Sequence, residues 1–259
     1  MNTSPSSAGP IVFCDFDGTI SEIDVTDLIL TRFADPSWTE VEQQWVRGEI
    51  GSRQCLAQQI GLVRASTTSL NAVIDSVRVD PHFNELCRML EKQSVPFYVL
   101  SDGFDYVIRR VFGRAGFTGP LANGSHLFAS SLRIDHGRLL TSFTHPPAAC
   151  EHGCATCKPS VMRRLAAGYS PSIFIGDGLS DRFAVEESDV VFAKKRLLDY
   201  CREKGIACVA FETFADIAAA LTDLLGEGQP GVGPKHRKQV TETSRLGSPE
   251  TAIRPAILD

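Results

Sequence analysis

Ile11-Val-Phe-Cys-Asp-Phe-Asp-Gly-Thr19 is the stretch on which the reading of the whole chain turns. Ile11 to Cys14 is a short apolar run with no polar alternation, the pattern of a strand buried on both faces, as in a parallel sheet. Acidic residues follow at once. In extended backbone, residues two apart point to the same side, so Asp15 and Asp17 converge while Phe16 turns to the core. The carboxyl ends of strands are where open α/β sheets bind ligands. Two adjoining carboxylates repel, and a cation would hold both ionised. Taken alone, the same residues also describe an ordinary Asp-Gly turn after a strand.

On the N-terminal side, residues 1–9 read as a flexible leader. On the C-terminal side the periodicity becomes helical. Leu28, Ile29 and Phe33, then Val41 and Trp45, then Leu56 and Ile60 recur at three- and four-residue spacings, with breaks at Asp35-Pro36, Gly48 and Gly61. This predicts a small helical insert over residues 23–78. Asp80-Pro81 opens the next helix, with Asp80 as its cap and Pro81 at the first helical position. Buried strands are expected at Val95–Ser101, Ser172–Gly176, Asp189–Ala193 and Ile206–Phe211. Helices are expected at Phe104–Phe112, from Lys158 through Leu165, and at Asp181–Glu187, Lys195–Lys204 and Phe214–Leu225. Short strands fall between Leu121 and Thr144, around a turn at His136-Gly137. Strands alternating with helices predict an α/β fold: an open parallel sheet with helices on both faces and the helical insert after the first strand. The core domain would be 10–22 plus 79–225. Residues 226–259 are rich in Gly, Pro and charge without an apolar face, and disorder is expected there.

Composition bounds the function. A formal charge of −5 over 259 residues argues against a nucleic-acid partner. No apolar run approaches a membrane span, and MNTSPSSAGP has neither the basic start nor the apolar stretch of a secretory signal. A cytoplasmic protein is expected, as a monomer or homodimer.

Three further signals accompany the Asp15–Thr19 stretch. Ser101 ends a strand before Asp102-Gly103, where a hydroxyl and a glycine-exposed N–H can donate to a phosphoryl oxygen. Lys158 opens a helix and can meet an anion as a point charge. Asp177 and Asp181 follow the strand at Ser172–Gly176, and their spacing puts both on one face as the chain enters a helix; hard oxygen ligands of this kind suit Mg²⁺. Singly, these also describe a turn, a surface lysine and acidic helix caps.

In the order Asp-x-Asp, Ser, Lys, Asp-x-x-x-Asp, each at a strand end or helix start, the chain resembles the phosphohydrolases of the haloacid dehalogenase (HAD) superfamily over roughly residues 10–225. The resemblance implies a HAD-like Rossmannoid sheet. It also implies Asp15 as nucleophile, Asp17 as general acid and then base, and Mg²⁺ held by Asp15, the backbone carbonyl of Asp17, Asp177 and Asp181, the last directly or through water. Ser101 and Lys158 would neutralise the phosphoryl group, with Thr19, Gly18 and Gly103 contacting it. A helical insert in this position resembles the small cap of the phosphoserine-phosphatase-like branch, which implies a small phosphorylated metabolite as substrate. Within that branch CDFDGTI, FADPSW, VPFYVLSDG, CEHGCATCKPSV and IGDGLSDRFAVEESDVVFAKKRLLDYC look most like the phosphatases of methionine salvage. Ser180 departs from the phosphoserine enzymes, which usually carry Asn there. Asp24 and Arg53 are candidates for reading the substrate.

Cys150, Cys154 and Cys157, with His152 nearby, have ligand types and spacings that suit a structural Zn²⁺. Packed thiols or a reversible disulfide explain the same spacing.

Overall fold

In the computed structural model, which describes residues 9–145 and 150–226, β1 (Ile11–Cys14) is the middle strand of a seven-stranded sheet. Its four residues are all fully buried, because they face two cores in turn. Val12 and Cys14 join one hydrophobic cluster, Ile11 and Phe13 the other. A strand covered on both sides has no solvent face to mark with polar residues, which is why it reads as a continuous apolar run.

Between β1 and α5 (Phe83–Lys92) lie four helices: α1 (Val25–Phe33), α2 (Trp38–Val46), α3 (Ser52–Gly61) and α4 (Thr67–Asp75). Asp24 caps α1 by accepting from Asp27 N at 2.9 Å, and Ser66 caps α4 by accepting from Ser69 N at 3.0 Å. An antiparallel bridge from Ser21 to Val79 draws the two ends of this segment together. Asp80 contributes through its side chain: Oδ1 accepts from His82 N at 2.8 Å, while the helix itself begins at Phe83, later than expected.

The chain then alternates through β2 (Phe97–Phe104), α6 (Asp105–Arg114), α7 (Gly119–Asn123), β3 (Leu127–Asp135), β4 (Arg138–Ser142), α8 (Lys158–Leu165), β5 (Ser172–Gly176), β6 (Val190–Ala193), α9 (Lys195–Lys204), β7 (Val209–Ala210) and α10 (Phe214–Gly226). The strand order is β4-β3-β2-β1-β5-β6-β7. Helices α5, α6 and α10 cover one face and α8 and α9 the other. The expected α/β architecture is observed.

Several details differ from the sequence reading. β2 runs on through Asp102-Gly103 to Phe104, where a turn was expected, so Ser101 lies inside the strand and α6 begins at Asp105. Leu121–Asn123 belong to the short helix α7, not to a strand. The sheet is parallel except for β4, which returns antiparallel on β3; His136 and Gly137 both take left-handed backbone (φ 46° and 76°), the geometry that matches hairpin twist. Residues 181–187 form no continuous helix but two single turns, at Leu179–Asp181 and Val185–Glu187. There Asp181 turns its carboxylate back onto the amides of Asp177 and Gly178, at 3.1 and 3.2 Å. The last strand is only Val209–Ala210, a short edge strand that leaves little unpaired backbone. The sequence expectations for the leader, apart from Gly9, and for the tail beyond Gly226 lie outside the described residues. No helix among those residues is long and apolar enough to cross a membrane.

Candidate active site

The carboxyl ends of β2, β1, β5 and β6 are adjacent, and the chemistry-bearing residues leave the sheet there. Asp15 extends β1 by one residue, its amide donating to Ile175 O at 2.9 Å. Asp177 follows β5, Ser101 lies within β2, and Lys195 follows β6. Lys158, in the first turn of α8, reaches the same place across the sheet.

Lys158 Nζ donates to Asp15 Oδ1 at 2.7 Å and also to Asp181 Oδ1. The lysine is 1% exposed, Asp15 4% and Asp181 0%, so this is a buried charge cluster. Burial pulls the Lys158 ammonium toward its neutral form. The Asp15 and Asp181 carboxylates more than offset that and raise its pKa, so it stays charged. Burial raises the pKa of Asp15 well above the carboxylate range; Asp181 adds to the rise and Lys158 opposes it. Asp181 is raised too, again by burial and against Lys158.

Carboxylate oxygens of Asp15, Asp177 and Asp181 lie within 4.8 Å of one another. Three buried acids with one deeply buried ammonium among them leave negative charge in excess, and the donor set is all hard oxygen. These residues therefore fit a small divalent cation such as Mg²⁺. Lys195 stands at the rim, with Nζ donating to Gly18 O at 2.8 Å and to Asp177 Oδ2 at 3.0 Å.

Asp17 has different partners. Oδ1 accepts from Val25 N at 2.9 Å and Oδ2 from the Ser101 hydroxyl at 3.3 Å. Burial pushes its pKa up to about 6, and those two donors hold it from rising further. Gly103 N donates to Ser101 Oγ at 2.9 Å. A Cβ at Gly103 would stand 2.4 Å from Asp17 Oδ2, so the absent side chain is what lets the strand pass so close to the acid.

A cavity of about 230 Å³ opens over these residues, floored by Asp15, Asp17, Ser101 and Gly103 and walled by the helical insert. The insert contributes Asp24, Asp27, Glu42, Trp45 and Gln59, and the start of α9 contributes Arg196. Glu42 Oε2 accepts from Gln59 Nε2 at 3.0 Å.

Not every residue named from sequence is where it was expected. Thr19 is 1% exposed and donates to Asp177 Oδ1 at 3.0 Å, so its hydroxyl orients an acid and faces away from the cavity. The Gly18 amide donates to Ser21 Oγ (3.2 Å) and Ile23 O (3.2 Å), and is not free for a phosphate. Gly18 serves by its shape: φ is +72° and a Cβ would lie 2.4 Å from Asp177 Oδ2. Arg53 is exposed and lies outside the cavity lining. Cys150, Cys154 and Cys157 do converge, their sulfurs within 4.8 Å of one another. His152 is absent from that group, its ring lying flat on Phe183 with centroids 3.7 Å apart.

Lys195, Arg196, Glu42 and Trp45 were missed. The basic Lys194-Lys195-Arg196 run directly after a strand was the available signal for the first two. No local signal tells which side of α2 faces a cavity.

The haloacid dehalogenase-like hydrolase family matches residues 12–186, and the chain belongs to that family. It is an enzyme, a hydrolase. A 2-hydroxy-3-keto-5-methylthiopentenyl-1-phosphate phosphatase from Geobacillus kaustophilus is 30% identical over 221 residues, covering 82% of this chain and 94% of the relative. The Bacillus pumilus protein of the same name is 29% identical over 217 residues, covering 81% and 90%. A phosphoserine phosphatase solved as a phospho-aspartyl intermediate analogue superposes with a TM-score of 0.61 at 18% identity, over 81% of this chain and 97% of that one. A HAD family hydrolase from Salmonella enterica serovar Typhi gives 0.65 at 20% identity, over 87% and 74%.

Proposed function

We propose that this chain is a Mg²⁺-dependent phosphomonoester hydrolase working through a phospho-aspartate at Asp15, with 2-hydroxy-3-keto-5-methylthiopentenyl-1-phosphate as its substrate. The chemistry rests on one observation: a buried carboxylate, Asp15, lies 2.7 Å from a buried ammonium and faces a cavity whose floor also carries a second acid, Asp17, with its pKa near 6. The choice of substrate rests on the names of the two relatives. Residues 10–22 and 79–225 act as the catalytic core, and residues 23–78 as a cap that encloses a small metabolite.

A carboxylate oxygen of Asp15 attacks phosphorus as the ester oxygen departs, giving an acyl phosphate. Asp17 gives its proton to the leaving alcohol and then takes one from the water that attacks phosphorus, restoring Asp15 and releasing phosphate. A pKa near 6 lets one group do both. Ser101 holds Asp17 in place, and Lys158 bears against the charge that develops on the phosphoryl oxygens. When bound beside Asp15, Asp177 and Asp181, Mg²⁺ supplies further positive charge and keeps these acids ionised. Thr19 and Lys195 orient Asp177 for it.

The cavity favours a second reading of the substrate. Asp24, Asp27 and Glu42 face the leaving group with Trp45 beside them. That wall suits a cationic alcohol, and Arg196 would meet a carboxylate, as phosphoserine requires. A panel of phosphate esters, with Mg²⁺ and with EDTA, separates the readings. The methionine-salvage ester should be turned over with a kcat/KM at least ~10-fold above phosphoserine; the reverse order establishes the second reading. Asp15→Asn should lose about a thousandfold or more in kcat with its fold retained, since an amide is a poor nucleophile. Wild-type turnover by that variant would discard the mechanism.

A further inference from the structure

We propose that Cys150, Cys154 and Cys157 bind a Zn²⁺ ion, and that this ion clamps the loop carrying Lys158 against the helical insert. The three sulfurs lie within 4.8 Å of one another, the spacing of ligands around one soft cation, and all three cysteines are free thiols. Cys154 and Cys157 are 8% and 6% exposed, yet neither belongs to a hydrophobic cluster, whereas Cys14 and Cys201 do. Three thiols brought together outside the cores are not packing filler. The ligand set is three thiolates with a fourth position left for water or another small donor.

The loop's other contacts say what the ion would hold. Arg53 N donates to Gly153 O at 3.0 Å and Ala155 N to Ser52 Oγ at 2.9 Å, joining the loop to the start of α3. Thr156 N donates to Asp102 Oδ1 at 2.8 Å, joining it to the end of β2. Lys158 follows Cys157 directly. An ion across the three sulfurs therefore fixes the insert, the Ser101–Gly103 segment and the active-site lysine relative to one another. The site is separate from the all-oxygen site at Asp15, Asp177 and Asp181.

The test measures metal on the full chain, purified without added metal or an affinity tag that binds it. About one zinc per chain is expected, surviving dialysis against excess Mg²⁺. Replacing it with Co²⁺ should give an intense thiolate-to-cobalt charge-transfer band. Zinc should also protect three of the eight cysteines from alkylation, with Cys150, Cys154 and Cys157 found unlabelled by peptide mass mapping. The double variant Cys154→Ser/Cys157→Ser should lose the ion. Should that variant not fold, the cobalt band and the protection pattern of the unaltered chain still decide. Asp15→Asn and Asp177→Asn should retain the zinc, which keeps this result independent of the phosphatase reading. No stoichiometric zinc together with no cobalt–thiolate band overturns the proposal. So does a disulfide within the trio in protein isolated without reductant, or zinc lost from Asp177→Asn but kept in the cysteine variant.

Discussion

Lys158 is a 1% exposed ammonium between two carboxylates, and nothing else so deeply buried among the described residues offsets their charge. Removing one partner of such a cluster leaves the others uncompensated, which in buried pairs costs about 3–5 kcal/mol. Lys158→Met should therefore lower the melting temperature clearly when measured without added metal. It should also reduce kcat/KM by about a hundredfold or more, because a positive charge next to the transferring group is lost. Lys158→Arg should recover part of the stability and little of the rate, since a planar fork does not replace a point charge in a packed site. A Lys158→Met variant as stable and active as the parent would show that the cluster has no such role.

Elements meet in two places that can be loosened separately. At α4 and α6, Arg110 Nε and Nη2 donate to the two Asp75 oxygens at 2.7 Å each, and Tyr106 Oη donates to Asn71 at 2.7 Å. Hydrogen bonding from Arg110, with its charge, holds the Asp75 carboxyl below the usual carboxylate range. A depressed folded pKa stabilises above the unfolded value, about 3.9, and is lost as pH falls through the folded value. Asp75→Asn should thus melt about 1–3 °C lower at pH 7, a modest change because the pair is partly exposed, and the gap should shrink as pH falls below about 3.9. A gap that widens on acidification would have the wrong sign. At the other meeting place, α3 abuts the cysteine loop, and a Cβ on Gly51 would stand 2.4 Å from Gly153 O. Both atoms belong to rigid backbone approaches, so Gly51→Ala must push the insert away. Steady-state kinetics should show kcat/KM down about tenfold or more, since small displacements of positioning groups are expensive in rate. Unchanged kinetics would mean the insert closes without this contact.

For the whole molecule, a cation bound by Asp15, Asp177 and Asp181 joins β1, β5 and the turn after it, so it should stabilise the fold as well as serve the chemistry. At a hundred times its Kd a ligand adds about 2.7 kcal/mol, which for a domain of this size is roughly a 5–10 °C rise in melting temperature. Scanning calorimetry with Mg²⁺ and with EDTA should show that rise in the parent. The rise should be absent in Asp177→Asn, whose amide is a weaker ligand without charge. Equal shifts in both would place the metal elsewhere.

The central strand, the order of strands and helices, and the acids at Asp15, Asp17, Asp177 and Asp181 were legible in the residues themselves. A strand sandwiched between two layers must be apolar throughout, and in a parallel sheet the loops after successive strands gather at one edge, so polar residues at strand ends announce the site before any distance is known. The aim of Thr19, the exclusion of Arg53 and the entry of Lys195, Glu42 and Trp45 were not legible. Helical periodicity marks a buried face but not how that face is rotated against the sheet. Contacts such as Gly51 with Gly153 or Thr19 with Asp177 join positions more than a hundred residues apart. Only folding the insert onto the sheet decides which of its side chains meet the substrate.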